Sequence, residues 1–310
     1  MGYTSYSFCA STDADTGERL YDRSLARAAS TRHYLSNDIN VMFTQQKERK
    51  AHETMLPSNA LVRECRDSDA HPKAFPVILT LDVTGSMRQI PHSLIQKGLP
   101  TLMGGLTERG VNDVSLLFLA IGDHISDSYP LQVAQFESGD EELDMWLTRT
   151  FLEGRGGGGY SESYHLAWDF AANHTKTDQW EKRHQKGLLF TIGDEFVHPN
   201  LTKNGLTGLY GESTIQESFV TKEALLKEAQ EKYDVYHLHV MHTDQARNSY
   251  KQWQTLLGQN CISVDDYTKI PDIVSNIIED RINNGVAPVI NEGVGVNVRT
   301  ETPTKSEEIL

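Results

Sequence analysis

Cysteine is scarce: the chain has three in 310 residues, Cys9, Cys65 and Cys261. They form no CxxC pair and no disulfide framework, which excludes a small disulfide-stapled fold and predicts a reducing, cytoplasmic setting. Long apolar runs are missing too. None approaches the roughly 20 residues of a bilayer span, so no membrane partner is expected. The opening MGYTSYSFCASTD lacks the basic start and apolar core of a secretory signal. Tyr6 also stands where a myristoylation motif wants Ser or Thr. Basic residues are in deficit, 29 Lys and Arg against 43 Asp and Glu, for a formal charge of -14. Such a surface repels phosphate backbones, excluding nucleic acid as a general partner, and attracts divalent cations. No GxxxxGK[ST] phosphate loop is present. The GRGGGG run satisfies GxGxxG only as a string, because a helical stretch rather than a strand precedes it.

What is present is an alternation of apolar strands and amphipathic helices. Residues 1–73 are polar, mixed in charge and partly helical in composition, and read as an N-terminal extension. From residue 74 the texture changes. FPVILTLDV is a continuous apolar run bounded by Pro76 and the Gly85 turn, the pattern of a buried parallel strand. Further strands are expected at Val114 to Asp123, Leu131 to Phe136, GLLFTIGDE, DVYHLHVMH and Cys261 to Val264. Helices are expected between them, at IPHSLIQKGLPTLMGGL, DEELDMWLTRTF, SESYHLAWDFAANH, TKEALLKEAQEKY, NSYKQWQTLL and PDIVSNIIEDRI. The pattern predicts an α/β fold over 74–284: a Rossmann-like, doubly wound, mostly parallel sheet with helices on both faces. Residues 285–310 lose helical period and read as a polar tail.

In such sheets ligands gather at the carboxyl ends of strands, and three loops there are rich in oxygen donors. In Asp82-Val83-Thr84-Gly85-Ser86 a strand delivers a carboxylate, and two hydroxyls follow at alternate positions, a set suited to Mg²⁺ or Mn²⁺. The plainer alternative is a helix cap, since Asp, Thr and Ser all cap well. EGRGGGGYSES offers Ser161, Glu162 and Ser163 after four glycines. TIGDEFVH ends a buried strand at Asp194 and Glu195. Elsewhere, His237 and His239 share a strand face with His242 just beyond, a spacing open to zinc. Ser161 or Ser163 beside His165 lacks the strand-to-elbow context of a nucleophilic serine.

Asp82, Thr84 and Ser86, followed by Met87, resemble the DxSxS or DxTxS motif of von Willebrand factor type A (vWA) domains. The resemblance runs over about residues 74–284 in order of elements. It implies a metal-ion-dependent adhesion site holding Mg²⁺, or Mn²⁺ or Ca²⁺, with no catalytic turnover. Ligands would be Asp82, Thr84 and Ser86, with Asp194 as the later aspartate and Ser161 or Glu162 where the family has a threonine. Two departures stand out: the glycine loop has no threonine, and Asp194 follows its glycine instead of preceding it. The implied function is an intracellular protein-binding or scaffold module whose metal takes an acidic side chain of a partner. Intracellular members of the family work with ATPase machines or multiprotein assemblies. The enzymatic alternative is a haloacid-dehalogenase-like, Mg²⁺-dependent phosphohydrolase with Asp82 as nucleophile. Thr84 occupies the place of that group's usual acid and weighs against it.

Overall fold

The computed structural model describes residues 45, 48–111, 113–154, 160–211, 213 and 215–284. The expectations for residues 1–44 and 285–310, and for the four glycines at 156–159, lie outside these. The core is a six-stranded sheet built from β1 (Phe75–Asp82), β2 (Val114–Ile121), β3 (Leu131–Glu137), β4 (Gly187–Gly193), β5 (Tyr233–Val240) and β6 (Cys261–Val264), in the spatial order β6-β5-β4-β1-β2-β3. All neighbours run parallel except β3, which is antiparallel to β2. Every residue of β1, β2 and β4 is buried. Central strands covered on both faces have no reason to alternate polar and apolar residues, which is why they read as unbroken apolar runs.

The helices are α1 (Leu99–Glu108), α2 (Asp140–Arg149), α3 (His165–Asn173), α4 (Lys203–Tyr210), α5 (Lys222–Lys232), α6 (Asp244–Leu257) and α7 (Ile270–Asn284). A short helix at Ile90–Ser93 and a π-helical turn at Leu94–Gly98 lead into α1. α1 packs with α7, and α3 with α5. The result is a mixed α/β fold, a central, mostly parallel sheet flanked by helices, of the doubly wound, Rossmann-like kind.

Two local outcomes differ from the sequence pattern. The helix expected from Ser161 starts only at His165, because Ser161–Glu162 pairs in parallel with Phe196–Val197 and Ser163 is tied to the loop after β2. α4 carries Gly205 and Gly208, poor helix formers, so its pattern was invisible. It forms behind a Thr202 side-chain cap on the Gly205 N–H. Upstream of the sheet, Arg63–Cys65 pairs in parallel with Thr175–Thr177, and Met55, Ala60 and Cys65 are buried in the same core.

The chain leaves β1 towards β2 on one side and later returns to place β4 on the other. The carboxyl ends of β1 and β4 therefore flank the point where strand order reverses, the place where open α/β sheets form crevices.

Candidate metal centre at the switch point

β1 delivers Asp82 to that crevice with no exposed surface. Its Oδ1 accepts the Thr84 N–H at 2.9 Å and the Thr84 hydroxyl at 2.6 Å. Its Oδ2 accepts the Tyr164 hydroxyl at 2.5 Å. The carboxylate thus folds its own loop in an Asx turn. It does not cap the next helix, which begins eight residues later at Ile90 without a side-chain cap. From Thr84 Oγ1 the Ser86 Oγ is 3.3 Å away, and Ser86 donates to Asp194 Oδ1 at 2.8 Å. Asp82, Thr84, Ser86 and Asp194 therefore form one continuous arc of oxygens. Arg88, in the same loop, is held at φ 51°, in the left-handed region.

α6 fixes the far side of the arc. Ser249 donates to the Asp194 carbonyl at 2.8 Å, Trp253 Nε1 to the Glu195 carbonyl at 2.9 Å, and Gln252 Oε1 accepts the Val197 N–H at 2.8 Å. The glycine that ends β4, directly before Asp194, has a steric cause. A Cβ on Gly193 would lie 1.9 Å from the Tyr164 hydroxyl, so the tyrosine reaches Asp82 only past a residue with no side chain. Sequence reasoning missed Tyr164. Its only signal was a tyrosine opening a helix after an oxygen-rich loop.

Glu162 comes in on the short strand beside Val197, and its side chain reaches Thr84. Ser161 is half-buried at the preceding position. The Gly154 N–H donates to the Val83 carbonyl at 3.1 Å, which ties the start of the glycine loop to the first loop.

Four buried carboxylates meet here: Asp82, Glu162, Asp194 and Glu195. Burial, then mutual repulsion, pushes Asp82 up to about 7 and Glu162 up to about 10. The same two causes lift Glu195 to about 7, and burial raises Asp194. Asp194 Oδ2, Glu162 Oε2 and Glu195 Oε2 have no hydrogen-bond partner, and the nearest cation candidate, His242 Nε2, is 3.5 Å from Asp194 Oδ2. Buried oxygens left bare cost free energy, so the donor set suits a hard divalent cation.

The phosphohydrolase alternative fails on this geometry. Asp82 is fully buried, its Oδ1 takes two donors and its Oδ2 takes the Tyr164 hydroxyl, an environment that hinders attack on an incoming phosphorus. Zinc on the β5 histidines fails as well. His237 Nδ1 contacts Thr191 Oγ1 at 2.8 Å and His237 Nε2 contacts His239 Nδ1 at 2.9 Å. His239 Nε2 meets the Ala246 carbonyl at 2.7 Å, and His242 Nε2 the Ser86 carbonyl at 3.0 Å. These rings are structural hydrogen-bond relays.

A second cluster escaped the sequence reading. Asp123, His124 and His198 each offer a ligand atom within 4.8 Å of the others, and could coordinate a divalent cation. The available signal was the Asp-His pair ending the second strand, together with the histidine soon after Asp194. Among the described residues no helix is long and apolar enough to cross a membrane.

No family model matches the chain, and no curated protein is similar to it in sequence. Solved structures of similar fold include the pilus adhesin SpaC from Lactobacillus rhamnosus GG, in its open conformation (12% identity, TM-score 0.48, covering 70% of this chain and 31% of the adhesin). The vWF domain of the type V pilus tip protein Mfa5 from Porphyromonas gingivalis is similar at 12% identity and a TM-score of 0.44, over 72% of this chain and 98% of that domain. Proximal thread matrix protein 1 from the mussel byssus is similar at 8% identity and a TM-score of 0.43, over 70% and 49%. The chain thus spans about a third of the adhesin's length.

The expectation of an intracellular, cytoplasmic scaffold is corrected: the solved structures of similar fold are pilus and byssus proteins. The physical reason is that scarce cysteine does not fix a compartment. A core this large needs no disulfide in either setting, and Cys65 and Cys261, both buried, form no disulfide among the described residues. The likeness is one of fold.

Proposed function

We propose that the chain is a vWA-type binding module in which a divalent cation bridges to a carboxylate of a partner protein. Asp82, Thr84, Ser86, Glu162 and Asp194 would hold the ion, Mg²⁺ or Mn²⁺ with Ca²⁺ as a larger alternative. The observation that carries the proposal is the arc of oxygens from Asp82 to Asp194, which ends on buried carboxylate oxygens that lack any partner. Successive residues of a strand face opposite ways. Glu162, whose side chain reaches Thr84, is therefore preferred over Ser161 as the ligand of the second loop.

The cation would supply a positive charge with room for an outside anion. This chain supplies the orientation. Tyr164 and Thr84 hold the Asp82 carboxylate in place with three hydrogen bonds, and one Oδ2 lone pair remains. Ser86 keeps an acceptor lone pair while donating its proton to Asp194. Ile125 and Tyr160, the most exposed large apolar residues of the described chain at 71% and 66%, lie in the loops after β2 and before Glu162. They would give the partner apolar contact area beside the carboxylate.

The test is a Mn²⁺ titration of the full chain followed by electron paramagnetic resonance, paired with capture of an acidic peptide. The expectation is tight Mn²⁺ uptake that weakens by about tenfold or more in Asp82→Ala and Ser86→Ala, with unchanged circular dichroism, consistent with loss of a ligand or its support. Peptide capture should require Mn²⁺. Undiminished Mn²⁺ uptake by an Asp82→Ala/Asp194→Ala double variant would overturn the proposal.

A further inference from the structure

We infer that Asp123, His124 and His198 form a second metal centre for a late first-row transition ion, zinc foremost, chemically separate from the oxygen site. The argument starts from the donor set. Two imidazoles and one carboxylate are a borderline-soft combination that selects zinc-like ions over Mg²⁺ or Ca²⁺, whereas the arc at Asp82 is all oxygen. Geometry follows. Asp123 Oδ1 lies 2.8 Å from His198 Nε2 and 4.0 Å from His124 Nδ1. Ligands about 2.0–2.2 Å from a tetrahedral zinc stand roughly 3.3 Å apart. With all three donors within 4.8 Å of one another, modest ring and side-chain shifts bring them to bonding positions. The two imidazoles meet nearly edge to face, with centroids 4.9 Å apart and planes at 82°, so their ring edges do not stack flat against each other.

The surroundings hold the three ligands in place, as a metal site requires of its supporting groups. Asp123 Oδ1 also accepts the Ile125 N–H at 3.0 Å, and Oδ2 accepts the Ser126 hydroxyl at 2.8 Å. The Asp123 N–H donates to Asp127 Oδ2 at 2.7 Å. Ser163 Oγ accepts the His124 N–H at 2.8 Å and lies 2.7 Å from His124 Nδ1. That hydroxyl, or a water in its place, is positioned beside the open fourth position. The buried His165 ring packs 5.3 Å from His124, centroid to centroid, and closes one side. Asp123 is buried and both histidines are half-buried, which leaves an ion a route in.

The ligands come from two places in the chain: the loop after β2 and the segment beyond β4. The strand carrying Glu162 pairs with that second segment, and Ser163 contacts the first. An ion bound here would pin all three together.

The experiment uses the full chain stripped with a chelator and titrated with Zn²⁺, and in parallel with Co²⁺, whose visible absorption reports four-coordination. The expected result is one equivalent of Zn²⁺, with a Co²⁺ spectrum of the tetrahedral type. His198→Ala and Asp123→Asn should weaken Zn²⁺ uptake by about 100-fold, while Asp82→Ala leaves it unchanged. Mn²⁺ uptake in His198→Ala should persist, so this proposal and the oxygen-site proposal fail independently. Circular dichroism and melting of the stripped variants check the fold, and His124→Ala serves in place of any variant that melts early. Zn²⁺ uptake that is absent, or that is insensitive to all three ligand substitutions, overturns the inference. So does uptake lost only with Asp82.

Discussion

Gly193→Ala is a one-carbon change whose cost can be worked from contacts. The added Cβ would sit 1.9 Å from the Tyr164 hydroxyl and 2.6 Å from its Cε1 and Cζ. The tyrosine has no room to retreat, being fully buried with Trp253 and His237 at centroid distances of 5.2 and 5.5 Å. Overpacking of this kind costs about 1–3 kcal/mol. Moving the ring also breaks the hydrogen bond to Asp82, and a bond to a charged group is worth about 1.5–3 kcal/mol. The sum, about 2.5–6 kcal/mol, corresponds to a melting shift on the order of 10 °C for a domain of this size. The assay is urea unfolding of Gly193→Ala, Tyr164→Phe and the double variant, in chelator at pH 7. Tyr164→Phe alone should cost about 1–3 kcal/mol by baring Asp82 Oδ2. In its background the alanine should cost about 1–2 kcal/mol less, because the nearest atom and the bond are already gone. A Gly193→Ala cost below about 1 kcal/mol would refute the reasoning, as would a cycle additive within about 0.5 kcal/mol.

The acidic cluster predicts a pH dependence with a definite sign. Burial and neighbouring carboxylates hold Asp82 and Glu195 at about 7 in the folded chain, against about 4 for unfolded carboxyls. Between those values the folded state keeps protons that the unfolded state has released, so stability falls as pH rises through about 4 to 7. Buried His165, His237 and His239, with pKa values lowered by burial, contribute with the opposite sign, so the reading is a difference. Urea midpoints in chelator should fall relative to an Asp82→Asn/Glu195→Gln variant between pH 5 and 7.5, and millimolar Mn²⁺ should offset the fall; a difference that stays flat or climbs contradicts the prediction. His239→Leu should cost about 2–4 kcal/mol in urea unfolding, because it strips partners from His237 and the Ala246 carbonyl. It should leave Zn²⁺ uptake untouched, and a lost equivalent would show that the relay binds metal after all.

The sheet was legible because its central strands are buried on both faces, and nothing but a run of Val, Ile, Leu and Phe satisfies that environment. The near half of the candidate site was legible for a related reason: Asp82, Thr84 and Ser86 lie within five residues, and an Asx turn folds them locally. The far half needed tertiary information. Tyr164 reaches Asp82 across 82 residues of sequence, and only the missing Cβ of Gly193 lets it pass. Asp123 and His198 are 75 residues apart and meet at 2.8 Å, near the point where two-residue strands align their loops. Conversely, the β5 histidines had a suggestive spacing, yet period-2 alternation serves a buried hydrogen-bond relay as well as a metal. Local pattern does not distinguish the two.

The strand β3 pairs on one side only, yet five of its seven residues are buried. Residues 53–65 lie against it, and Arg63 reaches the Val133 carbonyl. The Gln132 side chain both accepts from the Phe151 N–H and donates to the Phe151 carbonyl, at 2.8 and 2.7 Å, acting as a one-residue surrogate strand. An open border of this kind is a template on which a foreign chain can add itself, the first step towards fibres. In this molecule that template is already taken by its own upstream segment. The proposed partner site lies at one end of the sheet, and the covered edge withholds its side from pairing with a further strand.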